Sequence, residues 1–509
     1  MTRGRVILVG AGPGAPDLIT LRGAAALRGA DAVVYDSLAA PELLELAPPD
    51  ALRIDVGKRG HDAPTMPQEE TTALLLRLAG EGKTVVRLKG GDPYVFGRGG
   101  EEGTACAEAG VDFEVVPGVS SIFGALAYAG IPITDRRHAA SFAVVTGHKD
   151  PTKVSSETRW ALLGAAADTL LVLMGMRNLA EIATRLIAGG RSASTPAAVV
   201  MNGTLGSQRV IEAPLGELAA RAEAAGISAP AVVVVGDVVR LREQLAWFER
   251  QPLFGRRVLV TRSSEQAPEL VRALRGAGAE PVVVPLIELC AAPAGELDAA
   301  LAGLASYDAL IFTSANAARF TAERARALGI ALDQVRVVCV GPRTAEAARR
   351  AGCEVAHTPP HRFDARGVLE EVVRVLPPAG RHFLLPRSEL ASDLLPAGLR
   401  AAGAEVDAPV AYRNVAAPVD AQVLRALLTG GRLDVLTFAS PSAVQRFRAL
   451  LDPDALAAAA RCVVAAIGPV TAEALRDAGL PASAIAVRPG VEGLVDAIAA
   501  CVAEAREAR

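Results

Sequence analysis

Five glycines fall in the run Lys89-Gly90-Gly91-Asp92-Pro93-Tyr94-Val95-Phe96-Gly97-Arg98-Gly99-Gly100-Glu101-Glu102. Glycines at that density let a backbone close around a ligand. Asp92, Arg98 and Glu101 bring charge to the same loop. The run follows an apolar stretch, residues 85–88, that reads as a strand. Its charges therefore sit at the carboxyl edge of a sheet, where α/β proteins bind ligands. A plain surface turn needs neither so many glycines nor the aromatic pair Tyr94 and Phe96. Two more clusters share this character. Gly10-Ala11-Gly12-Pro13-Gly14 follows the strand at 6–9, with Asp36 closing the next strand, and Pro117-Gly118-Val119-Ser120-Ser121 follows a third. Glycines after a first strand and an acid about 20 residues on mark dinucleotide sites. Here the spacing is G-x-G-x-G, and Pro13 lacks the N–H a pyrophosphate would want. Alone, this motif is better read as a tight strand-to-helix turn; a nicotinamide dehydrogenase is the rival.

After residue 256 no nucleophile–base pair, phosphate loop or metal cluster appears. Instead, three ordered features occur twice. Tyr307-Asp308-Ala309-Leu310-Ile311-Phe312-Thr313-Ser314 resembles Leu433-Asp434-Val435-Leu436-Thr437-Phe438-Ala439-Ser440. Gly341-Pro342-Arg343-Thr344 resembles Gly468-Pro469-Val470-Thr471, and Val258–Arg262 resembles Phe383–Arg387. Ser314 to Gly341 is 27 residues and Ser440 to Gly468 is 28. Thr344 and Thr471 read as helix N-caps with Glu in the first turn. One such copy is ordinary capping. Paired copies facing a cleft point to an anion-binding site built on helix N-termini.

The elements that must hold these residues follow from apolar periodicity. Short Val/Ile/Leu runs alternate with Ala/Leu-rich helical stretches throughout, which predicts α/β domains with helices covering mostly parallel sheets. The 509 residues suggest two to four domains. A polar stretch at 240–250, then Gln251-Pro252-Leu253-Phe254-Gly255, marks the best boundary. With 51% hydrophobic and 21% charged residues the chain is globular, and a net charge of −3 excludes a generally basic nucleic-acid surface. Six scattered Cys form no C-x-x-C pair, so neither a disulfide framework nor a zinc cage is expected. No apolar run suggests a membrane span. Residues 1–17 read as a first strand and not as a signal peptide, so a cytoplasmic protein is expected. His61, His138 and His148 lack metal-ligand spacing and read as surface or packing residues.

The clusters of the first half resemble the uroporphyrinogen-III C-methyltransferases, S-adenosylmethionine-dependent tetrapyrrole methylases. The resemblance runs from about residue 6 to 239 and includes Gly10–Asp17, Tyr35-Asp36, Lys89–Glu102, Pro117–Ser121, Val144-Val145-Thr146-Gly147-His148, Met174-Gly175-Met176, Asn202-Gly203-Thr204 and Ala229-Pro230-Ala231. It implies two α/β lobes with the methyl donor between them. The donor, S-adenosylmethionine, would contact Pro13, Gly90, Gly91, Asp92, Ser120, Ser121, Met174, Ala198 and Ala231. Asp36, Arg98, Glu101 and Arg136 would face the tetrapyrrole as catalytic residues. Arginines suit a substrate with eight carboxylates. For Arg98 a purely structural salt bridge is the less favoured alternative. Two positions depart from the family: Asp135 where His is common, and Leu173 where Tyr often precedes the Met. The family also implies a homodimer through this half.

The second half is similar to uroporphyrinogen-III synthase, over about 257–499. The match rests on Val260-Thr261-Arg262, Thr313-Ser314-Ala315-Asn316, Gly341-Pro342-Arg343-Thr344, Leu385-Pro386-Arg387, Tyr412, Ser440-Pro441-Ser442 and Gly468-Pro469-Val470-Thr471. That family cyclises hydroxymethylbilane with inversion of one ring, loses water and uses no cofactor. Tyr412 matches the family's candidate acid; a hinge-packing role is the alternative. Arg262, Thr313, Ser314, Thr344, Ser440 and Thr471 are the expected substrate contacts. The expected organisation is a methyltransferase at 1–245 with lobes split near 120–140, a linker at 246–256, and a synthase at 257–509. Lobe 1 of the synthase would be about 257–290 plus 412–509, with lobe 2, about 291–411, inserted in it. A two-lobed binding module without synthase activity is the alternative for this half. Tetrapyrroles are the expected partners, with no nucleic acid, membrane or metal.

Overall fold

The computed structural model describes residues 4–57, 66–147 and 159–507. His61 and His148 lie outside the described residues. The chain divides into two compact units: Met1–Val258 with Arg272–Val282 and Ile498–Arg509, and Leu259–Val271 with Val283–Ala497.

The first unit opens with β1 (Arg5–Gly10), β2 (Ala32–Tyr35), β3 (Leu52–Asp55), β4 (Thr84–Lys89) and β5 (Asp112–Val116). They form a wholly parallel sheet in the order β3-β2-β4-β1-β5. Alternate residues feed two apolar layers. Ile7, Val9, Val33, Val86 and Leu88 pack on one face with Leu27 and Leu43. Val6, Leu8, Val34 and Val85 pack on the other with Leu75, Leu78 and Cys106. Both faces are covered, so the strands read as unbroken apolar runs.

A second sheet comprises β6 (Phe142–Thr146), β7 (Thr169–Leu173), β8 (Pro196–Met201), β9 (Arg209–Pro214) and β10 (Ala231–Val235), in the order β6-β7-β10-β8-β9. Only β6 and β7 are parallel; the other three pairings are antiparallel. The expectation of mostly parallel sheets fails here. An apolar strand shows burial on both faces but not direction, and the short connection from β8 to β9 permits a hairpin. The helix Ser121–Tyr128 sends Ile122, Ala125 and Leu126 into the core of this sheet, against Leu171, Val200 and Val232.

The polar stretch at 240–250, of which the sequence places 246–250 in a linker, lies within the first unit and packs there. Trp247 Nε1 donates to the Ala127 carbonyl at 3.0 Å. Its ring and those of Phe248 and Tyr128 meet at 4.8–5.5 Å. Arg242 donates to the Ala129 carbonyl at 2.9 Å and pairs with Glu212 and Glu249.

From residue 257 three more sheets follow. β11 (Arg257–Val260), β12 (Glu280–Val283), β13 (Ile287–Ala291), β14 (Ala309–Phe312), β15 (Val337–Cys339), β16 (Val355–His357), β17 (His382–Leu384), β18 (Arg387–Ser388), β19 (Glu405–Asp407), β20 (Val410–Ala416), β21 (Val435–Phe438), β22 (Val463–Ala466) and β23 (Ala484–Ile485) are its strands. One sheet runs β12-β11-β21-β22-β23 and another β19-β17-β14-β15-β16. These two orders are the same arrangement: β11 corresponds to β17, β21 to β14 and β22 to β15, as the sequence repeat requires. A smaller sheet, β13-β20-β18, is built on the antiparallel pair β13 and β20. β13 precedes the strands of the β14 sheet in the chain and β20 follows them.

Candidate functional sites

In the first sheet, parallel strands bring the loops after β1, β2, β4 and β5 to one edge. Three of them meet backbone to backbone. A Cβ on Gly118 would lie 2.3 Å from the Gly91 carbonyl oxygen and 2.6 Å from Gly10 Cα. Only glycine fits there. Ala11 N donates to the Lys89 carbonyl at 2.7 Å, and Gly12 and Gly91 exchange backbone bonds of 3.2 and 2.7 Å. Asp92 ties the loops together: Oδ1 accepts from Tyr94 N at 2.8 Å and Oδ2 from Gly118 N at 3.1 Å. Gly91 has φ +68°, and a Cβ there would meet nothing closer than Ser121 N at 3.7 Å. Gly91, Asp92, Ser120 and Ser121 thus converge around the start of the helix Ser121–Tyr128, whose N-cap Ser120 makes no side-chain capping bond. Pro13 packs on the same helix, since a Cβ on Gly124 would strike its ring at 2.5 Å. Gly90 lies against Leu38, 2.7 Å from where its Cβ would be.

Arg98 adopts a left-handed conformation, φ 59°, at the N-cap of the helix Gly99–Glu108. Its Nε and Nη2 donate to both oxygens of Glu101 at 2.9 and 2.7 Å, with both side chains more than half exposed. The salt bridge disfavoured from sequence is therefore present. The cause is spacing: positions three apart at a helix start face one another.

Beneath this loop is a buried charge cluster that sequence reasoning did not single out. Glu102, fully buried, accepts at Oε1 from Arg87 Nε (3.2 Å), Lys89 Nζ (3.1 Å) and Gln68 Nε2 (3.0 Å). Arg87 and Lys89 are themselves 5% and 3% exposed. Burial, then the neighbouring Arg87, pushes the Lys89 ammonium below the usual lysine value, with Glu102 opposing. Arg87 Nη2 also lies 3.7 Å from Asp36 Oδ2, and Asp36 Oδ1 accepts from Leu38 N at 3.1 Å. The signal was there: charges at 87 and 89 inside an apolar strand must be paired.

On the second sheet, Met174 follows β7 with φ 54° and is half exposed. Leu173 pairs with Val232, so Met174 and Ala231 stand side by side at one edge. Ala198 does not join them. It has no accessible surface and lies in the apolar core with Ile122 and Val234, three residues into β8 from the register partner of Ala231. The expected donor contact at Ala198 is core packing in this conformation. Arg136 is exposed. Asp135 accepts from Arg137 N at 2.9 Å, and that bond, with the Arg137 guanidinium, lowers its carboxyl below the usual value.

In the second unit, a cavity of about 170 Å³ is lined by residues including Arg262, Gln266, Asn316, Tyr412, Asn414 and Ser440. Tyr412, on β20, is 7% exposed and stacks on Phe320 with centroids 5.4 Å apart and 11° between planes. Its hydroxyl lies 3.2 Å from Ser314 Oγ, which also accepts from Ala317 N at 3.0 Å. Ser440 repeats the cap, accepting from Ala443 N at 3.3 Å. Thr261 and Thr437 lock β11 to β21, each hydroxyl donating to a carbonyl of the opposite strand at 2.7 and 2.6 Å.

Thr344 and Thr471 are not the caps expected. Their helices, Pro342–Arg350 and Pro469–Asp477, begin at proline with Gly341 and Gly468 as N-caps. Proline's fixed φ and missing N–H suit the first helical position, so each threonine falls at the third. Both are buried, 5% and 4% exposed. Glu346 and Glu473 then fall beyond the first turn. Within the repeated motifs, the residues that cap by side chain are Ser314 and Ser440. Thr313 is half-buried and, like Thr344 and Thr471, does not line the cavity. Among the described residues no helix is long and apolar enough to cross a membrane, and no His/Cys/Asp/Glu group could hold a metal.

Comparison with known proteins covers both halves. The profile of the tetrapyrrole (corrin/porphyrin) methylases matches residues 5–219, and that of uroporphyrinogen-III synthase HemD matches 268–496. A porphyrin biosynthesis protein HemD of Ruminiclostridium josui is 36% identical over 505 residues, 97% of this chain and 98% of that protein. This chain belongs to that family, a tetrapyrrole methylase joined to a uroporphyrinogen-III synthase. It is an enzyme of tetrapyrrole biosynthesis with a methyltransferase domain and a HemD-type domain. A siroheme synthase of Azotobacter vinelandii is 54% identical over 247 residues, 48% of this chain and 52% of that protein. The chain thus spans about half the length of that relative. A crystal structure of uroporphyrin-III C-methyltransferase from Thermus thermophilus complexed with S-adenosylhomocysteine has 40% identity and a TM-score of 0.40, covering 47% of this chain and 100% of that one.

Proposed function

We propose that the synthase domain cyclises hydroxymethylbilane to uroporphyrinogen III, and that the methylase domain then methylates that product twice to precorrin-2. The observation that carries this reading is the presence of both family patterns on one chain, at 5–219 and 268–496.

For methylation, the crevice at Gly91, Ser120 and Ser121 suits S-adenosylmethionine. Backbone N–H groups at an uncapped helix start can receive its carboxylate, and Gly91 leaves that start uncovered. Met174 and Ala231 supply the opposing contacts. The cofactor supplies an electrophilic methyl that needs little activation once an electron-rich pyrrole carbon is held in line. The chain's own work is to place the substrate and take a proton. Arg136 receives a substrate carboxylate. Asp36, fixed by Leu38 N and facing Arg87, accepts the proton that the methylated, positively charged macrocycle gives up. Arg98 and Glu101 act as a pair at the rim of the same loop. The domain works as a homodimer in the cytoplasm.

For cyclisation, Tyr412 donates its hydroxyl proton to the departing hydroxyl group, held in place by Phe320 and Ser314. Tethering keeps a readily oxidised intermediate near its second site by raising effective concentration.

Mass spectrometry of products from hydroxymethylbilane, with and without S-adenosylmethionine, tests the scheme. Uroporphyrinogen III should form without the cofactor and gain two methyl groups with it. Tyr412→Phe should slow cyclisation about a hundredfold and shift product toward the non-inverted isomer, which closes unaided. An unaltered rate and isomer ratio would remove Tyr412 from the chemistry.

A further inference from the structure

Arg262 and Arg387 are counterparts in the internal repeat, each just beyond one of the equivalent strands β11 and β17. They are equally buried, their side chains 14% and 16% exposed. Their pairing differs. Arg387 Nη1 donates to Asp393 Oδ1 at 3.0 Å and Nη2 to the Ala391 carbonyl at 2.9 Å, so its charge is used within its own lobe. Arg262 Nε and Nη1 are buried and have no hydrogen-bond partner among the described residues. The carboxylate nearest Nη1, Glu269, stands off at 3.9 Å and accepts from Arg343 at 3.0 Å. Burial pushes the Arg262 guanidinium below its usual value, with Glu269 opposing and the nearby Arg343 adding to the shift. A buried cation without a bonded partner is costly and marks a place where a partner arrives. Around it the cavity presents Gln266, Asn316 and Asn414, amides that both donate and accept, beside Tyr412 and Ser440.

We infer that Arg262 is the anchor for one carboxylate of the linear tetrapyrrole, with Asn316 and Asn414 completing the subsite, and that Arg387 has no such part. The inference rests on the synthase reading. It adds which of two equivalent arginines binds substrate, and why. An anchored acid arm next to Tyr412 fixes one end of the chain in reach of the proton donor. Guanidinium–carboxylate bonding suits that task better than an ammonium, because its donors are planar and preset.

The test uses the full chain. Arg262→Met should raise KM for hydroxymethylbilane at least tenfold, change kcat less, and weaken inhibition by uroporphyrinogen III, kept reduced, by a similar factor. Arg262→Lys should recover part of both, and Arg387→Met should move KM less than threefold. Wild-type KM and inhibition in a folded Arg262→Met variant overturn the inference, as does an equal KM effect from Arg387→Met. If Arg262→Met does not fold by circular dichroism, Arg262→Lys and Asn414→Leu decide: raised KM in both supports the subsite, wild-type KM in both overturns it. A wild-type chain that makes no uroporphyrinogen III would instead refute the synthase reading. Loss of uroporphyrinogen III binding in Arg262→Met would then still test the anchor.

Discussion

The carboxyl edge of the first sheet and the same edges of the β11 and β14 sheets are closed by different means. In the first, Gly10, Gly91 and Gly118 put backbone directly on backbone, and a buried Arg87–Glu102–Lys89 cluster underpins the loop above. In the second, Ser314 and Ser440 cap helices whose partners are ordinary N–H groups, and Gly468 has open space where a side chain would go. The first arrangement leaves no room for a side chain at Gly10 or Gly118; the second leaves open space at Gly468, though a Cβ on its counterpart Gly341 would lie 3.2 Å from Phe363. A site of the first kind writes a dense motif into the sequence. A site of the second kind leaves weak signals that become convincing only because they occur twice in the same order.

The severest way to break this contrast is at Glu102. Glu102→Leu leaves the buried Arg87 and Lys89 facing each other with only the more distant Asp36 as counter-charge, and breaking a buried pair costs about 3–5 kcal/mol. Little folded methylase domain should be recovered, and S-adenosylmethionine should no longer raise the melting temperature. A well-folded variant that still methylates would show the cluster to be dispensable, and the contrast between the two halves would be one of sequence only.

A smaller effect is expected from Gly118→Ala. The added methyl would lie 2.3 Å from a carbonyl oxygen and cannot be relieved by turning a side chain. Overpacking of this kind costs about 1–3 kcal/mol, and methylation should fall with it. Gly468→Ala is the matched control in the other half. Its backbone is extended, φ 175°, and a Cβ there meets nothing within 4 Å. Unfolding followed by tryptophan emission and circular dichroism should show the first variant clearly less stable than the second. Equal losses would mean that the open space at Gly468 does not matter.

How much of each site was legible follows the same physics. The Lys89–Glu102 loop, the small residues at 117–121 and the strands beneath them could be read because steric necessity dictates residue type. The buried cluster was half visible: Lys89 and Glu102 lay inside the motif, yet only the strand around Arg87 shows that they must neutralise one another. The direction of β8, β9 and β10 was not legible, since burial on both faces looks alike in parallel and antiparallel strands. The burial of Ala198 was not legible either, because an alanine in a strand carries no sign of which layer it packs in. In the second half, prolines at 342 and 469 set the helix starts, and reading Thr344 and Thr471 as caps overlooked that proline belongs at the first helical position. Gln266 and Asn414 could not be found by pattern, as single amides bear no spacing rule.

The duplicated serines sharpen the comparison within the second half. Ser440→Ala removes a helix cap and should cost about 1 kcal/mol. Ser314→Ala removes an equivalent cap and also the only hydroxyl, among the described residues, within hydrogen-bond distance of Tyr412. Stability losses should therefore match, while the fall in cyclisation kcat should be larger for Ser314→Ala. Equal kcat values with equal stability loss would reduce Ser314 to a cap alone.

The smallest effect concerns two thiols of the second half, Cys339 at the last position of β15 and Cys462 just before β22. Burial pushes the Cys339 thiol up to about 12 and the Cys462 thiol up to about 11, against an ordinary value of 9.0. A raised pKa means that the folded chain holds protons the unfolded chain releases. The associated stability is complete below pH 9 and is lost as pH rises from there through 11 to 12. At pH 9 an unfolded thiol is half titrated, so the loss is about 0.4 kcal/mol per thiol. Replacing Cys462 by Ala should flatten the decline in stability between pH 7.5 and 9 by about that amount. Iodoacetamide attacks only the thiolate, so in the native chain at pH 8 both residues should be alkylated far more slowly than in the urea-unfolded chain. Alkylation of Cys462 at the unfolded rate, with Cys339 protected, would mean that the segment before β22 opens in the native chain while the end of β15 stays closed, and that burial does not hold the Cys462 thiol protonated.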